Sequence, residues 1–340
     1  VEEYLTSIAF FNNKGGVGKT SLVYHLAWMF SELGLRVAAA DLDPQANLTT
    51  MFLNEDRLEE LWPNGKHPLT IQGVVDPILR GIGDIRDPHT ERITDRLRLL
   101  PGDLGLSYFE DKLSQAWPLC HNRDEAAYRT TTAFFRACLI ASDSLEAELV
   151  LIDVGPNLGA INRAALIASN HVAIPLASDL FSLQGLRNLG PQLRNWRQSW
   201  QDLKTKSPDP ELPLPGGEME PAGYIVLQHA SRSDRPVKAY RRWMEKIPSE
   251  YRVSVLNEAP IGNDDVESDS ECLATLKHYR SLMPLAMEAH KPMFFLKPAD
   301  GAIGAHVEAV RDCFRDFESL AARIAVRCSI PLPQRNLVSF

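Results

Sequence analysis

Apolar, β-rich runs recur along the chain at Ser7–Asn13, Val37–Asp43, Leu97–Pro101, Leu149–Val154, His171–Ala177, Gly223–Gln228 and Pro292–Leu296. Several are apolar throughout rather than at alternate positions, the pattern of strands buried on both faces. Between most of them lie segments long enough for helices. The alternation predicts an α/β fold, a doubly wound, mainly parallel sheet with helices on both faces. Ligands of such sheets sit at the carboxyl ends of the strands, so the loops that follow these runs are where chemistry is expected. Near the end of the chain, Ile303, Val307, Val310, Phe314, Phe317, Ala321 and Ile324 are spaced alternately four and three apart, a helical stripe expected to pack on the core. The stretch "SPDPELPLPGGEMEPAG", Ser207–Gly223, reads as a long surface loop. One domain over 1–328 with a tail at 329–340 is the expected organisation.

Composition narrows the class. The 340 residues are 44% hydrophobic and 24% charged, ordinary for a globular protein with a sizeable core. A net charge of −8 argues against a wholly basic nucleic-acid coat and leaves room for a local basic patch. Five cysteines form no C-x-x-C pair, which suits a reducing cytosol. No apolar stretch of about 18 residues is present for a spanning helix, and the acidic "VEEYLTS" does not read as a signal peptide. A cytoplasmic protein with no membrane association is expected.

The loop after the first run carries the strongest signal. "FNNKGGVGKTSLVYHL", Phe11–Leu26, follows an apolar run and leads into helix-compatible sequence, the context in which G-x-x-x-x-G-K-[ST] is a phosphate-binding loop. Gly15, Gly16 and Gly18 let successive N–H groups turn around an anion. A helix starting near Lys19 adds its positive dipole end. Lys19 is expected to reach the β- and γ-phosphates and the Thr20 hydroxyl to ligate Mg²⁺. Asn13 stands where the standard motif has its first glycine. A phosphate loop needs only one lysine, and this one has a second, Lys14.

Taken together, "KGGVGKT", Lys14–Thr20, resembles the deviant Walker A motif of the ParA/MinD family of P-loop ATPases, in its ParA/Soj-like branch. The resemblance implies ATP and Mg²⁺ as cofactors, with Lys14, Gly15, Gly16, Val17, Gly18, Lys19, Thr20 and Ser21 around the nucleotide. It also implies slow, dimer-dependent hydrolysis, in which Lys14 reaches the phosphates of the partner subunit in an ATP-dependent homodimer. "VAAADLDPQANLTT" is similar to the family's D-x-D-P-Q switch, which gives Asp43 the orientation of the hydrolytic water and puts Asp41 near the metal, through a water. Turn or capping duty before Pro44 is the competing reading of both. "LVLIDVGPNLG" resembles a Walker B with Asp153 on a Mg²⁺ water; Gly155 stands where relatives usually have proline or a small residue. "LRLLPGDLGL", "HVAIPLASDLFSLQGLRNL" and "KPMFFLKP" are similar to later family segments, the last to its final strand. Analogy puts the purine around Gln228, His229 and Pro260.

Several processes fit such a switch. For DNA partition or cargo positioning the support is "SRSDRPVKAYRRWMEKIPSEYR", Ser231–Arg252, where Arg235, Lys238, Arg242 and Lys246 recur every three or four positions and would share one helix face able to neutralise phosphates. A solvated helix face is the competing reading. A regulatory or defence-associated switch acting on a protein partner is the alternative, and either process implies an activating protein. A MinD-like membrane role is disfavoured because Asp312, Asp316 and Glu318 occupy the polar face of the last helix, where a membrane surface prefers cations. An iron-protein-like redox role lacks cysteines near Asp153 or the phosphate loop. The acidic run Glu258–Glu271 is expected to be a solvated loop.

Overall fold

A computed structural model describes residues 5–227, 242–260, 262, 265–279 and 281–333. Its strands are β1 Thr6–Phe10, β2 Val37–Asp41, β3 Glu91–Arg92, β4 Leu97–Leu100, β5 Leu149–Asp153, β6 His171–Ala177, β7 Glu220–Leu227 and β8 Cys272–Leu276. They form one sheet in the order β3-β4-β2-β5-β1-β6-β7-β8. Every pairing is parallel except β3 with β4. The continuous apolar runs are explained by two cores. Ala9 on β1 packs into the layer that holds Phe109, Phe134 and Trp200, whereas its neighbours Ile8 and Phe10 point into the layer that holds Leu26, Phe30 and Phe317. Successive side chains of a central strand alternate between faces, and both faces here are covered by helices, so neither tolerates a polar residue.

The topology also places the site. β1 lies at the centre with β5 on one side and β6 on the other, so the loops after β1, β2 and β5 converge at one edge. Asp41 and Asp153 are register partners on β2 and β5, and Phe10 is the partner of Asp153 on β1.

Two expectations are corrected. Pro292–Leu296 is not a strand: Met293–Phe295 is a 3₁₀ turn, and the sheet ends instead on β8. Pro292 has no N–H for a ladder, and the Met293 N–H donates to His25 Nε2 at 3.2 Å. Phe294 then packs its ring at 5.7 Å from Phe317 and 5.9 Å from Phe314. The acidic run before β8 is not simply solvated. Asp269 is buried, accepts the Tyr224 hydroxyl at 2.6 Å and pairs with Arg252 at 3.0 Å, and Glu271 pairs with Arg327 at 3.3 Å.

The proline-rich loop closes on the fold rather than floating over it. Leu212 and Met219 are buried, the Pro215 carbonyl accepts Trp200 Nε1–H at 3.0 Å, and β7 begins at Glu220. On the helix Ala305–Arg327 the expected stripe packs through Phe317, Ala321 and Ile324, while Val307 and the preceding Ile303 stay exposed. Among the described residues no helix is long and apolar enough to cross a membrane.

Candidate nucleotide-binding site

The chain leaves β1 under control of its neighbour β6. Phe11 N–H donates to the Ala173 carbonyl at 3.0 Å, and buried Asn12 donates from Nδ2 to the Pro175 carbonyl at 2.6 Å while its Oδ1 accepts the Lys14 N–H at 2.9 Å. Gly16 and Gly18 adopt φ of +72° and +79°, and Gly18 opens the helix Lys19–Glu32. These are conformations that side-chain-bearing residues resist. A Cβ on Gly18 would also lie 2.8 Å from Leu227 Cδ1. Gly15, expected to need the same freedom, lies outside the left-handed region. Asn13 is accommodated by Gly185 of the helix Leu180–Lys204, where a Cβ would meet Asn13 Oδ1 at 2.8 Å.

Lys19 is buried within the loop, its Nζ donating to the Lys14 carbonyl at 3.3 Å. Burial pulls its pKa down, while the carboxylates of Asp153 and Asp43 push it back up. Asp41 is fully buried; its Oδ2 accepts both the Thr49 N–H at 2.8 Å and the Thr49 hydroxyl at 2.7 Å, and Oδ1 has no partner among the described residues. Burial raises its pKa to about 7 against the opposing Thr49 hydrogen bonds. Asp153 is likewise fully buried, and neither of its oxygens meets the geometry of a hydrogen bond. Burial first and then Asp41 drive its pKa well above the carboxylate range, with the nearby Thr20 hydroxyl pulling the other way.

Asp43 sits at the mouth of this cluster, its Oδ1 accepting the Gln45 N–H at 2.9 Å. A Cβ on Gly155 would stand 3.3 Å from that oxygen, so the glycine at this position leaves the carboxylate its room. The loop after β5 is fastened from behind. Asn162 Nδ2 donates to the carbonyls of Gly155 at 2.8 Å and Asn157 at 2.6 Å, and Glu110 accepts the Ala160 and Ile161 N–H groups at 2.6 and 2.8 Å. Neither Asn162 nor Glu110 has a sequence signal that distinguishes it from an ordinary helix residue.

Lys14 has a partner within its own chain. Its ammonium pairs with Asp179 and lies 5.8 Å from the Phe181 ring centroid. The other oxygen of Asp179 accepts the Ser182 N–H at 2.9 Å and caps the helix Leu180–Lys204. Burial pushes the Asp179 carboxyl up, but Lys14 and Ser182 outweigh it and hold the pKa below the usual range. Sequence reading passed over Asp179, which lies 165 residues from Lys14.

Beside the loop opens a cavity of about 230 Å³, lined by Gly18, Leu22, Leu227, Leu276, Tyr279 and Met293 among others. Gln228 and His229, the residues expected near a purine, lie outside the described residues, and Pro260 does not line the cavity. Of the expected basic face, Arg235 and Lys238 lie outside the described residues; Arg242 and Lys246 are exposed and both lie over the Trp243 ring, at 5.4 and 5.3 Å.

Among the described residues no three His, Cys, Asp or Glu side chains form a metal cage. A Mg²⁺ ion does not need one, since it is commonly held by one or two carboxylates, waters and substrate phosphates. The orphaned oxygens of Asp41 and Asp153 beside the Thr20 hydroxyl fit that requirement.

Comparison with known proteins points the same way. A family model described as an AAA domain, AAA_31, matches residues 5–205. Protein IncC of Escherichia coli is 30% identical over 187 residues, 55% of this chain and 45% of its own. The sporulation initiation inhibitor protein Soj of Bacillus subtilis is 28% identical over 182 residues, 54% of this chain and 62% of its own. The chain thus spans about half to three-fifths of the length of these two relatives. A putative plasmid partition protein of Borrelia burgdorferi, solved bound to AMPPNP, superposes with a TM-score of 0.60 at 18% identity, covering 95% of this chain and 100% of its own.

Proposed function

The chain belongs to the AAA_31 family, and from that premise we propose that it is a ParA/Soj-like, Mg-ATP-dependent dimerising switch that serves DNA partition or cargo positioning. The observation that carries the reading is the convergence of Lys19, Thr20, Asp41, Asp43 and Asp153 on one edge of the sheet, with three carboxylate oxygens buried and without a hydrogen bond among the described residues. Such groups cost stability unless a ligand completes them.

The loop N–H groups and the start of the helix Lys19–Glu32 receive the phosphates, and Lys19 neutralises the β- and γ-oxygens. Thr20 would ligate Mg²⁺, with Asp41 and Asp153 acting through its waters; when bound, the ion would neutralise phosphate charge. The base enters the apolar cavity between Leu227 and Leu276. Asp43, kept free of Gly155, orients the attacking water toward the γ-phosphoryl group, and the loop braced by Asn162 and Glu110 excludes other water. Lys14 leaves Asp179 to reach the phosphates of a second copy, which supplies positive charge only in the dimer.

The sandwich has support beyond the lysine. Leu104, Tyr108, Leu158, Leu180 and Phe181 are exposed and follow β4, β5 and β6 on the nucleotide side. Apolar groups gathered on one face are what a partner covers. For nucleic acid, the names of several relatives as partition proteins and the exposed Arg242 and Lys246 support nonspecific DNA binding by the ATP dimer. The net charge of −8 favours the second reading, a regulatory switch that acts on a protein partner.

Titration calorimetry with a nonhydrolysable ATP analogue tests the core of the proposal: binding should be lost in Lys19→Ala, and unchanged binding there would reject the site. DNA binding measured with ATP and with ADP separates the two processes, since binding indifferent to the nucleotide, or absent at low salt, would move the reading to a protein partner.

A further inference from the structure

The carboxylate at the end of β2 is held by a single residue. Thr49 gives Asp41 Oδ2 both its backbone N–H, at 2.8 Å, and its hydroxyl, at 2.7 Å. A threonine hydroxyl has one proton to donate and lone pairs to spare; the Thr49 oxygen accepts the Gly102 N–H at 2.8 Å. Thr49 is fully buried, and its hydroxyl proton and one of its lone pairs are thereby committed.

Gly102 closes the arrangement from the far side. A Cβ there would lie 2.6 Å from Asp41 Cγ, so only glycine lets the loop after β4 approach so near. That loop is itself anchored: Trp62 Nε1–H donates to the Gly102 carbonyl at 3.2 Å, and the buried Asp103 accepts the Thr70 hydroxyl at 2.6 Å and stands 2.7 Å from His67 Nδ1. Asp41 Oδ2 therefore has no freedom to turn, while Oδ1 meets the geometry of a hydrogen bond with no group among the described residues.

Resting on the reading that Mg-nucleotide occupies this site, we propose that Thr49 is a positioning residue for the cation: it consumes Oδ2 of Asp41 and so presents Oδ1 alone, in one orientation, to the hydration shell of the metal. Thr49 also stands in the first turn of the helix Asn47–Phe52, where Ala46 provides no side-chain cap. Asp41 thus takes an N–H that the helix would leave unpaired. A purely structural threonine would stop at that role, and the two roles part experimentally.

The measurement is Mn²⁺ affinity, read by electron paramagnetic resonance of the free ion, in the complex with a nonhydrolysable ATP analogue, together with analogue binding in excess EDTA. Thr49→Val keeps the shape and the backbone N–H and removes only the hydroxyl. It should weaken Mn²⁺ binding by about tenfold while metal-free analogue binding stays within about twofold, the low end of what outer-shell partners of a metal site contribute. Thr49→Ser should restore wild-type metal affinity. If Thr49→Val loses its far-UV circular dichroism, Thr49→Ala is measured in its place under the same criteria. Wild-type Mn²⁺ affinity in the hydroxyl-free variant overturns the inference and leaves the nucleotide site standing, as does an equal loss with and without metal. Absence of metal-dependent analogue binding in the wild type overturns both.

Discussion

Asp153→Asn should raise the melting temperature of the ligand-free protein while damaging its response to Mg-nucleotide. In the wild type neither of the buried Asp153 oxygens meets the geometry of a hydrogen bond among the described residues, although the Thr20 hydroxyl lies nearby, and Asp41 beside it has one more such oxygen. A buried polar group left unsatisfied costs about 1–3 kcal/mol, and more when it must be charged. The amide keeps the shape and removes the charge, but retains an unpartnered N–H₂, so the net gain is about 1–2 kcal/mol. At about 2.1 cal/mol/K per residue, a 340-residue chain unfolds with an entropy of about 0.7 kcal/mol/K, which converts the gain to a rise of about 1.5–3 °C. The pH dependence follows from the sign of the shifts. Burial raises the folded pKa of Asp153, and of Asp41 to about 7, above their unfolded values. Their penalty is absent in strong acid and grows as pH climbs from the ordinary carboxylate range through the folded pKa. The gap between variant and wild type should therefore be wider at pH 8 than at pH 5. Differential scanning calorimetry without nucleotide gives both numbers, and adding the Mg-bound analogue should raise the wild type by more than the variant. A ligand-free variant that melts at or below the wild type at pH 8 would refute the reasoning that these oxygens are held at a cost for a ligand.

Three further outcomes are expected. Asp179→Asn keeps an N-cap side chain for the helix Leu180–Lys204 but releases Lys14; a half-exposed ion pair is worth up to about 1 kcal/mol, so light scattering should find ATP-dependent dimers at up to about fivefold lower protein concentration, with the difference shrinking in high salt. Gly155→Ala puts a methyl group 3.3 Å from Asp43 Oδ1 and should slow phosphate release at least tenfold with analogue binding retained; a normal rate would show that Asp43 does not need that space. Asp43→Ala should bind and dimerise with ATP yet accumulate the undischarged complex in a single-turnover assay, and hydrolysis at the wild-type rate would remove Asp43 from the reaction.

The parts of this molecule that were legible in its sequence are those set by neighbours along the chain. A run such as Leu149–Asp153, apolar at nearly every position, has to be a strand covered twice; "KGGVGKT" carries the left-handed glycines and the helix start within itself, Asp41 and Asp153 end their strands, and Asp43 follows its strand directly. Local chemistry was not enough where two segments competed for one place. Pro292–Leu296 is as apolar as a strand, yet Cys272–Leu276 takes the edge of the sheet because the Met293 N–H is claimed by His25 and its neighbour Phe294 by an aromatic layer. Nor does any spacing announce that Asp179 pairs with Lys14, that Asn162 and Glu110 brace the loop after β5, or that Gly102 must lack a Cβ for Asp41 to fit. The sequence by itself determined which residues carry charge, phosphate-binding backbone and buried apolar surface. The tertiary structure decided which oxygens are left over once every nearby donor has been spent, because a hydrogen bond depends on where two groups lie in space, and residues distant in the chain supply most of the partners.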